Sequence, residues 1–185
     1  MAQTNTLARS MHDIGLATWF GGSLMGAVGV NGAAGEVDDP RQRARVANSG
    51  WARWTPVNLG AIGAHLLGGL LLTRANSGRL GAQKGVAGWS MAKGGLTLAA
   101  LGATAYSRTL GQKMMDAGDV PVESGTQSAN GTPPEVEQAQ KRLHVLQWVI
   151  PGLTGAMLVM SARMGEQQRP GDVVQGTLKR LLPGG

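Results

Sequence analysis

Two ionisable side chains, His65 and Lys93, fall inside stretches otherwise built from apolar and small residues. A cation buried in an apolar helix is costly, so a residue of this kind is by default a functional candidate. Lys93 can line a polar pathway or bind an anion. It can equally snorkel to an interface from about two turns inside its helix. His65 can relay protons or ligate a metal or haem, because imidazole titrates near neutral pH and coordinates through either nitrogen. It can equally hydrogen-bond across to a neighbouring helix. The two residues fall at similar depths in successive stretches, so one polar pocket can hold both.

The remaining candidates are sparser. His12 and His144 stand where the first and fourth apolar stretches begin, and antiparallel helices put those positions on opposite sides. Three histidines on three levels make neither a metal site nor a bis-histidine haem pair. Asn31, Asn58 and Gln147 read as interhelical hydrogen-bond partners. Met157, Met160 and Met164 recur at helical spacing; thioethers can hold copper(I), and such a stripe also packs against neighbours or lipid. There is no phosphate-binding glycine loop, no HExxH and no GxSxG. Every carboxylate lies outside the apolar stretches, which removes the usual acid–base machinery. The expectation is a non-enzyme with no cofactor and no metal site.

The elements that position these residues are four stretches: Ile14–Gly35, Trp54–Thr73, Gly85–Ser107 and Leu143–Ala162. Each is about as long as the ~20 apolar residues needed to cross a bilayer as a helix. The expected fold is all-α, an integral membrane antiparallel four-helix bundle forming one domain over residues 1–185. A mean hydropathy of −0.07 looks soluble only because polar connections dilute the stretches. Thirty glycines are present. In a soluble helix each costs about 1 kcal/mol relative to alanine, whereas in a membrane they let helices approach closely. Gly22, Gly26, Gly60, Gly63, Gly152 and Gly155 are read as packing positions, with Gly22–Gly26 a GxxxG contact.

A net charge of +6 is spread over the connections rather than gathered into a basic stripe, so nucleic acid is excluded as a partner. The partners implied are the lipid bilayer and either a second copy or a larger membrane complex. Cysteine is absent, so there are no disulfides or thiolate metal sites. Twelve Arg against five Lys, with abundant Ala and Gly, is the composition of a GC-rich bacterial genome.

Asp39-Pro40 starts a helix in the first connection, as an N-cap followed by proline. Trp51, Trp54, Trp89 and Trp148 read as an interfacial belt. The short, all-basic second connection, Arg74–Lys84, makes the second and third spans antiparallel neighbours. Residues 121–134 read as a flexible loop, ended by a Thr132–Glu135 capping box. Pro151-Gly152 is expected to kink the fourth helix. The tail 164–185 reads as polar, either an interfacial helix or disordered. Residues 1–34 also admit a cleavable signal-peptide reading. The chain is placed in the cell membrane with both termini cytoplasmic, on the charge of the second connection.

The segment His12-Asp-Ile-Gly-Leu-Ala-Thr-Trp-Phe-Gly-Gly22 resembles the opening of small bacterial four-span proteins of the copper-resistance D kind. The resemblance covers about eleven of 185 residues and implies four spans and, for the copper-resistance relatives, copper traffic. No ligand residue carries over. The functional expectation is an accessory or scaffold component acting through helix packing; the alternative is a small transporter or channel with its polar site at His65 and Lys93.

Overall fold

The computed structural model describes residues 5–75 and 86–166. Most of them are helical. Helix α1 (Thr6–Met25) passes through a π-helical turn, Gly26–Val30, into α2 (Asn31–Gly35). Three long helices follow: α3 (Pro40–Ala75), α4 (Val86–Asp116) and α5 (Pro134–Glu166). A small antiparallel hairpin, β1 (Val122–Ser124) and β2 (Gln127–Ser128), separates α4 from α5. The reading of the tail as an interfacial helix falls almost wholly on residues 167–185, outside the described residues, as does most of the second connection.

Local chemistry explains the helix ends. Asp39 Oδ1 accepts the Arg41 amide at 3.0 Å and Pro40 takes the first helical position, where its missing N–H costs nothing. That amide, with the Gln42 side chain on the other oxygen, holds the Asp39 carboxyl below the usual carboxylate range. The helix started here does not stop at the surface; it runs on through Pro56 as all of α3. The chain also stays helical through Pro151, next to which a kink was expected. Each proline removes one backbone hydrogen bond of its helix.

Contacts fix the directions. Down the α1–α3 seam, Gly15 faces Ala61 and His65, Gly22 faces Trp54, and Gly26 faces Trp51, so these helices are antiparallel. Lys93–Ser161 and Thr97–Met157 make α4 and α5 antiparallel. Trp19–Thr104 and Asn31–Gln147 then set α1 parallel to α4 and antiparallel to α5. Helix α1 packs between α3 and α5, and α4 packs on α5. The expected pairing of the second and third spans is corrected: α3 and α4 touch sparsely. The glycine seam draws α3 to α1 instead, and a short link in sequence does not oblige two helices to pack.

Two cores result. Leu16, Trp19, Ile62, Ala100, Ile150 and Met157 fill the bundle. Ala44, Leu110, Met114, Val122, Val136 and Ala139 form a second core at the hairpin end. With 36 residues, α3 is about 54 Å long, some 24 Å more than a bilayer's hydrocarbon core of about 30 Å. The excess builds a cap with the hairpin, where Arg43 pairs with Glu123 at 3.3 Å and Lys141 with Glu137 at 2.5 Å. The loop reading of 121–134 is therefore corrected: Val122 is fully buried, and Gln140 Nε2 donates to the Ser124 and Gln127 carbonyls at 3.2 Å each. The Thr132–Glu135 capping box gives way to another arrangement. The Thr132 hydroxyl bonds the Pro121 carbonyl at 2.6 Å and accepts the Ala129 amide at 2.9 Å, closing the hairpin loop.

Among the described residues two helices, α3 and α5, are long and apolar enough to cross a membrane, against the four stretches read from the sequence. In the other two, glycine and hydroxyl residues dilute α1, and Lys93 interrupts α4.

Candidate functional site

The site begins with two glycines. A methyl group added at Gly15 would lie 2.6 Å from the His65 backbone nitrogen, and one at Gly68 would lie 2.5 Å from that of His12. Helices α1 and α3 thus cross in backbone contact, which only residues without a side chain permit. Each histidine stands one helical turn from its own helix's glycine, so the crossing lays one imidazole on the other. The ring centroids are 4.1 Å apart and the planes 19° from parallel.

The hydrogen bonds are reciprocal. His12 Nδ1–H donates to the His65 carbonyl at 2.8 Å, and His65 Nδ1–H donates to the His12 carbonyl at 3.1 Å. With protons on Nδ1, each Nε2 is left as an acceptor. Lys93 Nζ donates to His12 Nε2 at 2.7 Å and to Ser161 Oγ at 2.5 Å. Ser161 donates onward to the Met157 carbonyl. Trp19 meets the His65 ring edge-on at 6.3 Å and donates its N–H to Thr104 at 3.2 Å. Each of α1, α3, α4 and α5 therefore contributes one residue to a single His12–His65–Lys93–Ser161 cluster.

His65 and Lys93 do share one polar centre, but His12 stands between them. The expectation that His12 lies on a different level is corrected: α1 begins at Thr6, so His12 is already well inside the helix. An internal signal was available. Ala8-x3-His12-x2-Gly15 and Ala61-x3-His65-x2-Gly68 are the same pattern, and in antiparallel helices each copy's glycine faces the other copy's alanine and histidine.

The packing glycines divide. A methyl group added at Gly155 would lie 3.1 Å from the Phe20 ring, and Gly22 and Gly26 seat the indoles of Trp54 and Trp51. The GxxxG step thus receives side chains rather than a helix backbone. Gly60, Gly63 and Gly152 meet nothing within 4 Å among the described residues, so within this chain they pack against no other helix. They face outward, because helical periodicity places them off the buried stripe.

Trp51 and Trp54 turn into the bundle rather than lying in an outer belt; Trp89 and Trp148 are exposed. Trp51 donates to Asn31 Oδ1 at 2.9 Å, and Asn31 Nδ2 donates to Gln147 at 2.9 Å. The π-helical turn directly precedes Asn31 in the chain. Beside these residues a cavity of about 430 Å³ opens between α3 and α4, beneath the hairpin.

Comparison with known protein families, with characterised proteins and with solved structures finds no match in any of the three.

Among the described residues no three His, Cys, Asp or Glu side chains are grouped to hold a metal ion. Met157 is buried and its sulfur accepts from the Thr97 hydroxyl at 3.1 Å. His144 lies apart from the cluster, beside Thr126 and Gln147 under the hairpin.

Proposed function

We propose that the protein is a four-span integral membrane protein with both termini in the cytoplasm, acting without catalysis as an accessory or scaffold component. The observation that carries this reading is the distribution of polarity. Inside the bundle lie His12, His65, Lys93, Thr154 and Ser161. Outside lie Ile14 of α1 and Val28 of the π-helical turn, Leu67 and Leu71 of α3, Met91 and Leu98 of α4, and Val145 and Val159 of α5, all exposed. Only 17% and 28% of the most apolar windows of α3 and α5 are buried within the protein. Soluble monomers rarely expose contiguous apolar surface on this scale.

The scaffold role is supported by glycines that pack nothing internally. Gly60 and Gly63 on α3 and Gly94, Gly95 and Gly102 on α4 face outward. Such positions let a second helix approach closely in a membrane. The His12–His65–Lys93–Ser161 cluster acts as a clamp joining four helices. The alternative, a small transporter or channel with its polar site at His65 and Lys93, is favoured by one feature: Lys93 enters the bundle with no carboxylate among its hydrogen-bond partners.

Topology is tested by cysteine accessibility, since the chain has no native cysteine. Cysteines at Asn5 and Arg163 should label from one side, and those at Asp38 and Asn130 from the other. Labelling of Asn5 and Asp38 from the same side would remove α1 as a span. For the role, Gly60→Leu and Gly94→Leu should disrupt assemblies seen on native gels without changing thermal stability. A wild-type chain that is monomeric and partner-free in mild detergent refutes the scaffold. Loss of substrate uptake in a stably folded Lys93→Met variant selects the transporter.

A further inference from the structure

We propose that the cavity between α3 and α4 is a binding site for a neutral, hydroxyl-bearing amphiphile, of the class of monoacylglycerols and long-chain alcohols. Its volume of about 430 Å³ lies within the range of roughly 300–1,000 Å³ usual for small-molecule sites. Leu59, Ile62, Leu101 and Ile150 give it apolar walls. Three polar atoms on this wall are buried and have no hydrogen-bond partner among the described residues: Trp54 Nε1, Asn58 Oδ1 and Ser107 Oγ. Native proteins leave few buried polar atoms unpaired, and three beside one cavity suit a polar group held there, water or a ligand hydroxyl alike.

Their neighbours show that this is not general neglect. Trp51, Asn31, Gln147, Thr55 and Thr104 line the same space and each has a partner. The indole of Trp54 can only donate, the amide oxygen of Asn58 can only accept, and the hydroxyl of Ser107 can do either. An alcohol fits all three, because its oxygen accepts from the indole and from the Ser107 hydroxyl while its proton goes to the amide. Anions fit poorly, since a carboxylate or phosphate would set negative charge against the Asn58 oxygen. Among the described residues the one charged residue on the wall is Arg108, which is exposed, and no acidic residue lines it.

The cavity opens sideways. Leu59 and Ala105, on facing edges of α3 and α4, are both exposed, and the two helices touch sparsely. In the membrane placement proposed above, that gap faces lipid, so the ligand enters from the bilayer with its chain trailing outward. The route rests on that placement; the binding site does not.

The test is a tryptophan-fluorescence titration of the full chain in phosphatidylcholine nanodiscs with three twelve-carbon probes. 1-Monododecanoylglycerol should bind saturably. Methyl dodecanoate keeps the chain and ester and lacks the hydroxyls; it should bind about tenfold more weakly, the weight of one or two hydrogen bonds. Dodecanoate should bind no better than the methyl ester. Trp54→Phe and Asn58→Leu should each weaken 1-monododecanoylglycerol binding about tenfold and leave methyl dodecanoate unchanged. Equal binding of ester and monoglyceride, tightest binding of dodecanoate, or no saturable binding by the wild-type chain overturns the proposal. The probe comparison holds even if a variant fails to fold. Release of the chain by alkaline carbonate with intact monoglyceride binding would overturn the membrane placement and leave the site standing.

Discussion

Replacing Gly15 by alanine puts a methyl group where no atom fits. The new carbon would lie 2.4 Å from the Ala61 carbonyl oxygen and 2.6 Å from the His65 nitrogen, against ordinary contact at about 3.4 Å, so α1 and α3 must part by about 1 Å. The obstacle is helix backbone, which cannot rotate away as a side chain can. Overpacking of this kind costs about 1–3 kcal/mol. The same displacement stretches the His12–His65 bonds from 2.8 and 3.1 Å past hydrogen-bonding range, at about 1 kcal/mol each. Against this, alanine gains about 1 kcal/mol of helix propensity. The net loss is about 2–4 kcal/mol. Gly68→Ala should behave alike, since its methyl would lie 2.5 Å from the His12 nitrogen. The double variant should cost less than the two combined, because either methyl alone already opens the shared crossing. Gly63→Ala is the matched control: its methyl meets nothing, so stability should hold or rise. Unfolding in mixed detergent micelles measures all four. A Gly15→Ala variant as stable as Gly63→Ala would refute the close crossing and the histidine pair built on it.

Other expectations follow from the same contacts. Lys93→Met removes the donor to His12 Nε2 and should cost about 1–3 kcal/mol in the same assay, with His12→Phe added to the variant recovering part of the loss. Gln140→Leu should release the hairpin, seen as faster hydrogen exchange at the Thr126 amide, with a global stability loss of about 1 kcal/mol. Asp39 has its pKa lowered from 3.8 on folding, so its contribution is present above that value and is lost as pH falls through the lower folded pKa. Protection of the Arg41 amide should therefore fade at acid pH in the wild type, and Asp39→Asn, which keeps the cap, should flatten that dependence.

Much of the architecture was legible because its signals are local. Runs of apolar residues, Asp39-Pro40 and the charged connections act within one helix or turn. The failures concern which face of a helix meets which neighbour, where a helix starts, and what covers a turn. Gly60 and Gly68 are equivalent in composition; only the position of α1 makes one outward and the other a contact. His12 was placed by where the apolar residues begin, but the helix starts several residues earlier, and the start sets depth. The hairpin was misread because Gly, Ser, Asn and Pro serve a tight turn and a loose loop alike. The burial of Val122 that distinguishes them depends on α3, α4 and α5 projecting far enough to cover it. Trp51 and Trp54 have the right chemistry for an interface, and only the glycine seat on α1 draws them inward.

The repeated Ala-x3-His-x2-Gly segment is self-complementary, and its complement runs in reverse. In the membrane placement proposed above, every copy of α1 points the same way, so two α1 helices from different chains cannot present this face to each other in the required sense. Helix α3 carries the second copy in the opposite direction. In that placement the direction of insertion excludes pairing of α1 with α1 and leaves the oppositely directed copy on α3 as its complement.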